Sequence, residues 1–377
     1  MIKIDGMLMI GSAGANVGKT ELACALVRRL SRNHDIAGIK VTTINDKDGQ
    51  CPRGGEGCGV CSSLPGDFCI TAETDNRSGK DTSRLSAAGA SPVYWLRVLK
   101  THLQEGAAAL LDTLGPYATC ICESNSLRCV VEPGLFLLAR RKDSSAWKES
   151  AQQLGRYADR IVTSHEGTFD LDLERIHLVD GKWKLREKAT AIVLAGGSSR
   201  RMGMDKSLLP INGRPLVARI CRQLRDSFEQ MLVSADDVDK FAFLGLEVVP
   251  DRIPGQGPLM GIASTLEASA NELNFVLACD IPHVALRYVR KMLSEAVESS
   301  ADIVVPITGE GQYEPLFAVY RKSALKAINK VLLSGGRKIA DAFKLCGVRY
   351  IELDTNLANL NTIAEYVQFQ RDLGARP

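Results

Sequence analysis

The fold of the second half of the chain is decided by the stretch Ala191-Ile-Val-Leu-Ala-Gly-Gly-Ser-Ser-Arg-Arg-Met-Gly-Met-Asp-Lys206. Its apolar run is typical of a buried strand, and the two glycines, Gly196 and Gly197, predict a turn directly after it. Backbone without side chains can approach a phosphate closely and present its N–H groups to it. Arg201 and Lys206 follow at a spacing that lets both cations fold back over the same anion. A glycine-rich turn with surface cations is the alternative interpretation.

Two aspartates follow later strands of this half. Asp251 comes after the predicted short strand Glu247–Val249, and Asp280 ends the apolar strand that begins at Phe275. We expect both carboxylates at the carboxyl edge of a sheet, where ligands of α/β proteins bind. Asp280 has the chemistry of a Mg²⁺ ligand, because Mg²⁺ takes one or two carboxylates together with phosphate oxygens. For Asp280 alone, a helix N-cap is an equally good interpretation.

Six short strings in this half resemble the molybdenum cofactor guanylyltransferase (MobA-type) family. They occur in the same order and spacing, from about Thr190 to the C-terminus. The strings are Leu194-Ala-Gly-Gly197, Arg201-Met-Gly203 with Lys206, Gly257-Pro-Leu259, Cys279-Asp-Ile-Pro282, Glu314-Pro-Leu-Phe-Ala-Val-Tyr320 and Asn359-Leu-Asn-Thr362.

The resemblance implies a Rossmann-like nucleotidyltransferase that binds GTP and Mg²⁺. Such an enzyme joins GMP to the terminal phosphate of molybdenum-loaded molybdopterin and releases pyrophosphate. One position departs from the pattern: some family members have Asn after the second strand, where this chain has Ser234. Contacts to the guanosine at that position are therefore open.

The resemblance also implies roles for individual residues, each at a matching motif position. The catalytic residues would be Arg201, Lys206 and Asp280, with Arg201 facing the triphosphate and Asp280 holding Mg²⁺. The other implied positions are Leu194, Ala195, Gly196, Gly197 and Lys206 on the nucleotide, Asp251 on the guanosine, and Asn359 and Asn361 on the acceptor.

The first half carries a separate phosphate-binding motif, Ala13-Gly-Ala-Asn-Val-Gly-Lys-Thr20, which is a Walker A sequence with Ala in place of its first Gly. It follows a predicted strand at Met7–Ile10 and opens a predicted helix, the context this motif requires. Gly14, Gly18 and Lys19 would hold the phosphates of a nucleotide, and Thr20 would hold Mg²⁺. Glu123, at the end of another predicted strand, is a candidate for a second acid beside the Mg²⁺. An ordinary strand-end carboxylate is the alternative for Glu123.

A second string in this half, Gly79-Lys-Asp-Thr-Ser-Arg-Leu-Ser-Ala-Ala-Gly-Ala90, is similar to the accessory GTP-binding protein of the same pathway (MobB-type). That resemblance covers residues 1 to about 180 and implies GTP binding with slow hydrolysis. It transfers no settled catalytic residues.

A long segment between the second strand and this string, residues 42–81, is rich in Gly, Cys, Ser and Asp. Cys58 and Cys61 have the two-residue gap common in zinc and iron–sulfur sites, and Cys51 and Cys69 flank them. The spacing favours a Zn²⁺ or Fe–S site over a set of reduced loop thiols or a redox-labile pair.

Composition limits the class of protein. The 377 residues suggest two domains, and 45% hydrophobic with 24% charged residues is typical of a soluble globular chain. A net charge of +3 does not indicate a nucleic-acid partner, and no apolar run is long enough to span a membrane. A cytoplasmic protein with largely reduced cysteines is expected.

The predicted architecture is α/β with two doubly wound domains. Residues 1–187 would form a P-loop NTPase fold with the Cys-rich insert, and residues 188–377 the Rossmann-like nucleotidyltransferase fold. A predicted hairpin, Ile176–Val179 and Lys182–Leu185 around Asp180-Gly181, closes the first domain. Partners would be GTP, Mo-molybdopterin and apo-molybdoenzymes or their chaperones. The alternative functions are a molybdopterin cytidylyltransferase, a sugar-1-phosphate nucleotidyltransferase, or a GTP-gated molybdopterin carrier without transfer activity.

Overall fold

The computed structural model of the chain describes residues 1–45, 64–115, 118–143, 147, 149–196, 205–309, 311–353 and 357–374. The chain divides into two compact units, Met1–Leu185 and Arg186–Pro377. Both are mixed α/β structures with largely parallel sheets, as predicted.

The first unit is built on an eight-stranded sheet in the order β3-β4-β2-β5-β1-β6-β7-β8. Its strands are β1 (Ile2–Ser12), β2 (Ala37–Ile44), β3 (Phe68–Ala72), β4 (Val93–Leu99), β5 (Cys120–Glu123), β6 (Val131–Arg141), β7 (Arg160–His165) and β8 (Thr168–Phe169). Its helices are α1 (Lys19–Leu30), α2 (Asp81–Ala87), α3 (Leu103–Leu114) and α4 (Glu149–Gly155). All neighbouring strands pair in parallel except the two at the edges, β3 and β8.

Strand β1 is the centre of this sheet because its apolar residues are buried on both faces. Met7 and Met9 belong to one hydrophobic core, and Leu8 and Ile10 belong to the other. Successive side chains of a strand point to opposite faces, so a continuous apolar run requires a covered sheet on both sides. Both neighbours of β1, β5 and β6, run parallel to it, which places the loop after Ser12 at the carboxyl edge.

The predicted hairpin at the end of the first unit is confirmed. Strands β9 (Ile176–Val179) and β10 (Lys182–Leu185) pair in antiparallel register. The two turn residues are both left-handed, with φ of 50° at Asp180 and 70° at Gly181. This is the backbone that a two-residue turn needs to match the twist of its strands.

The second unit is built on a seven-stranded sheet in the order β15-β14-β11-β16-β18-β17-β19, with a separate two-stranded ribbon, β12-β13. Its strands are β11 (Glu187–Leu194), β12 (Pro210–Ile211), β13 (Arg214–Pro215), β14 (Phe228–Ser234), β15 (Glu247–Val249), β16 (Leu273–Ala278), β17 (Ile303–Ile307), β18 (Phe317–Arg321) and β19 (Val348–Glu352). Its helices are α5 (Leu216–Leu224), α6 (Pro258–Ala268), α7 (Leu286–Ser299), α8 (Leu325–Leu333), α9 (Ile339–Phe343) and α10 (Ile363–Gly374).

Strand β11 has the same central position in this sheet. Ala191 and Val193 lie in one core, and Ile192 and Leu194 lie in the other. Its two neighbours, β14 and β16, both run parallel to it, so their carboxyl ends meet at one edge. One strand departs from the parallel pattern, because β18 is antiparallel to both β16 and β17.

None of the helices that the structure describes combines the length and the apolar composition needed to cross a membrane.

Candidate functional site

The turn after β11 lies at the carboxyl edge of the second sheet, where the residues that follow β11, β15 and β16 form the candidate site, here called the crevice. The N–H groups of Ala195 and Gly196 both donate to the carbonyl oxygen of Ser234, each at 3.0 Å. The N–H of Gly196 is thus used between β11 and β14, and the assignment of this residue to the nucleotide stays a prediction. Gly197 and Arg201 lie outside the described residues.

One wall of this crevice comes from Asp251, Ser234 and helix α6. A side chain at Gly261 would place its Cβ 2.5 Å from Ser234 Oγ and 3.3 Å from Asp251 Oδ1. The backbone N–H of Asp251 donates to the carboxylate of Asp236 at 3.2 Å. Burial, together with the negative charge of Asp236, raises the pKa of Asp251 to about 6. The missing side chain at Gly261 thus lets helix α6 pack closely against Ser234 and Asp251, beside a carboxylate whose pKa is raised.

Three of the predicted residues lie together on the other side of the crevice, at the end of β16. Lys206 Nζ donates to Asn361 Oδ1 at 3.0 Å, and the N–H of Leu360 donates to the carbonyl oxygen of Asp280 at 2.8 Å. Asn359 is half-buried in the same short segment. Burial raises the pKa of Asp280, although the charge of Lys206 opposes that rise. Lys206, Asp280 and Asn361, which are distant in sequence, are therefore neighbours in the structure.

The helix-cap interpretation of Asp280 is excluded by the position of the next helix. Helix α7 begins at Leu286, and the residue at its N-cap is Ala285. Asp280 lies instead in the turn that follows β16, at the carboxyl edge of the sheet.

Glu314 is a further acidic residue at this edge to which the sequence assigned no role. The N–H of Ala278 donates to the carbonyl oxygen of Leu316 at 2.8 Å, which continues the antiparallel register of β16 and β18. Two residues further along each chain, this register brings Glu314 opposite Asp280. Burial and the charge of Asp280 raise the pKa of Glu314. The sequence signal that could have identified Glu314 is its place in the family-like string Glu314–Tyr320.

The second candidate site is the turn between β1 and α1 in the first unit. Helix α1 begins at Lys19, and Gly18 before it has a φ of 80°, a left-handed conformation that favours glycine. Thr20 Oγ1 donates to Glu123 Oε2 at 3.1 Å, and Lys19 Nζ lies 3.9 Å from the same oxygen. Glu123 ends β5 and its side chain is fully buried. The structure therefore brings the predicted Lys19, Thr20 and Glu123 to one point.

Two more charged residues belong to this site, and the sequence assigned neither of them a role. Lys40 Nζ donates to Glu123 Oε2 at 3.0 Å and is paired with Asp81 as well. Burial acts to lower the pKa of Lys40, but Glu123 and Asp81 raise it above its usual range. Burial and the charge of Lys40 lower the pKa of Lys19. Asp81 opens α2 within the string Gly79–Ala90, which was the signal available for it.

Lys19, Thr20, Lys40 and Asp81 line a cavity of about 1110 Å³, together with residues 14–18 of the Walker A loop. Three cationic side chains besides Lys19 face it: Lys40, Arg84 and Arg141. A cavity of this volume exceeds the usual range of small-molecule sites and has room for a nucleotide.

The predicted cysteine site falls largely outside the described residues, which include neither Cys51, Cys58 nor Cys61. Cys69 lies in β3, where Arg97 contacts its Sγ at 3.7 Å. Within the part of the chain that the structure describes, no group of three or more His, Cys, Asp or Glu side chains is arranged to hold a metal ion.

The second unit is similar in sequence to known enzymes. Residues 191–346 match the family model described as "MobA-like NTP transferase domain". A "Probable molybdenum cofactor guanylyltransferase" of Carboxydothermus hydrogenoformans is 36% identical over 48% of this chain and 94% of that protein. One of Pelotomaculum thermopropionicum is 34% identical over 48% of this chain and 91% of its own length. The chain belongs to the molybdenum cofactor guanylyltransferase family.

A "Molybdenum cofactor guanylyltransferase" of Vibrio parahaemolyticus is 33% identical over 47% of this chain and 93% of that protein. Matches to this family cover the C-terminal half of the chain. The prediction of a nucleotidyltransferase enzyme is thereby confirmed for that half.

Proposed function

We propose that the second unit transfers GMP from GTP to the terminal phosphate of Mo-molybdopterin and releases pyrophosphate. The observation that carries this proposal is the junction of Lys206, Asp280 and Asn361 at the carboxyl edge of β16, in a chain of this family. The reaction brings an acceptor phosphate to the α-phosphate of GTP, and both are negatively charged. Fixed cations at this edge offset the repulsion, so no protein nucleophile is required.

The side chains of the crevice divide between the two substrates. Asp251 contacts the guanine, because a carboxylate accepts from the N–H groups on the edge of that base. Lys206, held by Asn361, faces the phosphates, with Arg201 on the triphosphate. Asn359 and Asn361 lie toward the pterin phosphate.

The donor set at Asp280 fits a magnesium ion. Asp280 supplies a half-buried carboxylate next to a second acid, Glu314, and Mg²⁺ prefers such oxygens together with phosphate oxygens and water. When bound, Mg²⁺ stabilises the charge of the leaving pyrophosphate. The residues of the chain orient the two substrates and exclude water from the phosphorus that is attacked.

We further propose that the first unit is a P-loop domain that binds GTP with Mg²⁺, as an accessory to the transferase. The support is the strand, glycine turn and helix at Ser12–Lys19, with Thr20 and Glu123 in contact beside it. The buried Glu123 Oε1 has no hydrogen-bond partner among the described residues, as expected of an oxygen that serves a metal or its water. Thr20 and Glu123 would hold the ion.

The transfer proposal is tested by incubating the protein with Mo-molybdopterin, Mg²⁺ and one of GTP, CTP or ATP. Pyrophosphate release and the product mass are the readouts, and a product carrying GMP, formed only with GTP, is expected. The matched variant is Asp280→Asn, which should abolish transfer, with Asp302→Asn as a control that removes a carboxylate remote from the crevice. A CMP product would overturn the choice of base. A folded protein that transfers no nucleotide would contradict the proposed reaction.

A further inference from the structure

The charged cluster of the first unit contains a lysine at the position where a divalent cation is expected. Lys40 and Glu123 are directly opposite each other on the parallel strands β2 and β5. Lys40 Nζ therefore lies between two carboxylates, at 3.0 Å from Glu123 Oε2 and in hydrogen-bond contact with Asp81. Thr20 Oγ1 contacts the same two acids, at 3.1 Å from Glu123 Oε2 and 3.3 Å from Asp81 Oδ1.

The hydrogen bonds of Glu123 are incomplete in this arrangement. Its side chain is fully buried, Oε2 takes all the contacts with Thr20 and Lys40, and Oε1 has no hydrogen-bond partner among the described residues. A buried carboxylate oxygen without a donor is costly, so a position that leaves one is typical of a ligand site. The ammonium of Lys40 thus pairs with only one oxygen of Glu123, whereas a metal ion with its water shell would supply a partner to both oxygens.

The charges of the cluster sum to zero, since Lys19 and Lys40 balance Asp81 and Glu123. A neutral cluster attracts a free divalent cation weakly, and an entering cation must displace an ammonium that is already hydrogen-bonded. A nucleoside triphosphate changes this balance, because it brings several negative charges to the loop beside Lys19. Both Lys40 and a divalent cation are then attracted to the phosphates.

We infer that Lys40 is an internal counter-ion that occupies the position of the cation between Asp81 and Glu123 until nucleotide binds. The divalent cation therefore enters only together with the triphosphate. Lys40 then releases the two carboxylates and pairs with the phosphates. This inference rests on the proposed nucleotide-binding function of the first unit. It adds Asp81 to the acids beside the cation and makes Lys40 a positioning residue that sets the order of binding.

The test measures Mn²⁺ binding by electron paramagnetic resonance, on the full chain and without nucleotide. All proteins carry Asp280→Asn, which removes the proposed metal ligand of the second unit. With Lys40 present, weak Mn²⁺ binding is expected. Lys40→Met should bind Mn²⁺ at least about tenfold more tightly, or about 1.4 kcal/mol, because the cluster becomes negative. Lys40→Arg keeps the positive charge and should bind Mn²⁺ as weakly as the protein with Lys40.

Two further variants assign the new affinity to this cluster. Adding Glu123→Gln or Asp81→Asn to Lys40→Met should remove the gain, because each deletes one of the negative charges. A folded Lys40→Met protein that binds Mn²⁺ no better than the protein with Lys40 would overturn the inference. So would equal gains in the Met and Arg variants.

Lys40→Met removes the ammonium that pairs with two carboxylates, which could impair folding. A second measurement does not use this variant. With Lys40 present, Mn²⁺ affinity should rise at least about tenfold when a non-hydrolysable GTP analogue is added, beyond the rise that the same analogue gives with Lys19→Ala. Equally tight Mn²⁺ binding with and without the analogue contradicts the inference. Binding of the analogue itself is followed by fluorescence with and without Lys19→Ala, so that binding in the first unit is separated from binding in the second. Absence of a Lys19-dependent part is a failure of the proposed nucleotide site, whereas a Lys19-dependent part without the gain in Mn²⁺ affinity is a failure of the role given to Lys40.

Discussion

Gly261 is the residue on which the close packing of helix α6 beside Asp251, the proposed guanine ligand, depends most directly. An added Cβ would meet Ser234 Oγ at 2.5 Å, and Ser234 is buried, so its hydroxyl has little room to move away. Gly261→Ala is therefore expected to raise the KM for GTP and to destabilise the protein by about 1–3 kcal/mol, the usual cost of overpacking. KM and thermal melting measure the two effects.

The double variant Gly261→Ala with Ser234→Ala is the control for this prediction. It removes the oxygen that the new methyl group meets, so most of the lost GTP affinity and stability should return. If the double variant behaves like the sum of the two single variants, the clash with Ser234 is not the cause.

Asp251 gives GTP binding a pH dependence whose sign follows from its pKa. Burial and Asp236 raise that pKa to about 6, so the carboxylate is ionised above pH 6 and protonated below it. Only the ionised form accepts from both N–H groups of the base, so the KM for GTP should rise as the pH falls through about 6. Asp251→Asn should raise the KM at every pH and flatten this profile.

The neighbouring Asp236 supplies an independent check on this assignment. Asp236→Asn removes a negative charge near Asp251, so the midpoint of the profile should move to lower pH. A midpoint that stays near 6 in both Asp251→Asn and Asp236→Asn would show that another group titrates.

At the scale of secondary structure, the antiparallel strand β18 controls the metal side of the crevice. It returns along β16 and brings Glu314 opposite Asp280, which a purely parallel sheet would not do. Glu314→Gln is expected to raise the Mg²⁺ concentration needed for half-maximal transfer by about tenfold or more, as loss of an oxygen near a metal commonly does. The matched control is Glu272→Gln, near the other end of β16, which is exposed and should leave the Mg²⁺ requirement unchanged. Equal effects of the two changes would contradict the role of Glu314.

The sequence predicted many elements closely, and the exceptions have physical reasons. Strand β15 was predicted at its observed limits, and α1 begins inside the Walker A motif as predicted, because apolar runs bounded by turns are local signals. Strand β6 was not predicted, because the pair Pro133-Gly134 near its start is typical of a turn. In the structure Gly134 lies against β1, where a Cβ would be 2.1 Å from the carbonyl oxygen of Asp5. That glycine therefore permits a close approach of two strands and does not form a turn.

The same difference between local and tertiary signals applies to the site residues. Lys19 and Thr20 belong to a contiguous motif, so their spacing alone predicts that they share a site. Lys40 has no such motif, and its role depends on the register that sets it opposite Glu123 across two strands. Pairings of this kind depend on the register of strands in the tertiary structure, which cannot be read from a single sequence.

At the scale of the whole molecule, the two units have separate hydrophobic cores. The cores on the two faces of the first sheet contain residues from Met7 to Leu185, and those of the second contain residues from Ala189 onward. No buried cluster among the described residues draws on both units. A unit that buries its own apolar surface on both faces of a sheet has what it needs to fold alone.

Fragments 1–185 and 186–377 are therefore expected to fold separately and to divide the two activities between them. The second fragment should transfer GMP and lose this activity with Asp280→Asn. The first should bind GTP without transfer, and Lys19→Ala should weaken that binding by more than about tenfold, or 1.4 kcal/mol. Circular dichroism establishes folding, and binding and transfer are then measured on each fragment. A folded second fragment that is inactive, beside an active full chain, would mean that the phosphate loop of the first unit takes part in transfer itself and is not an accessory.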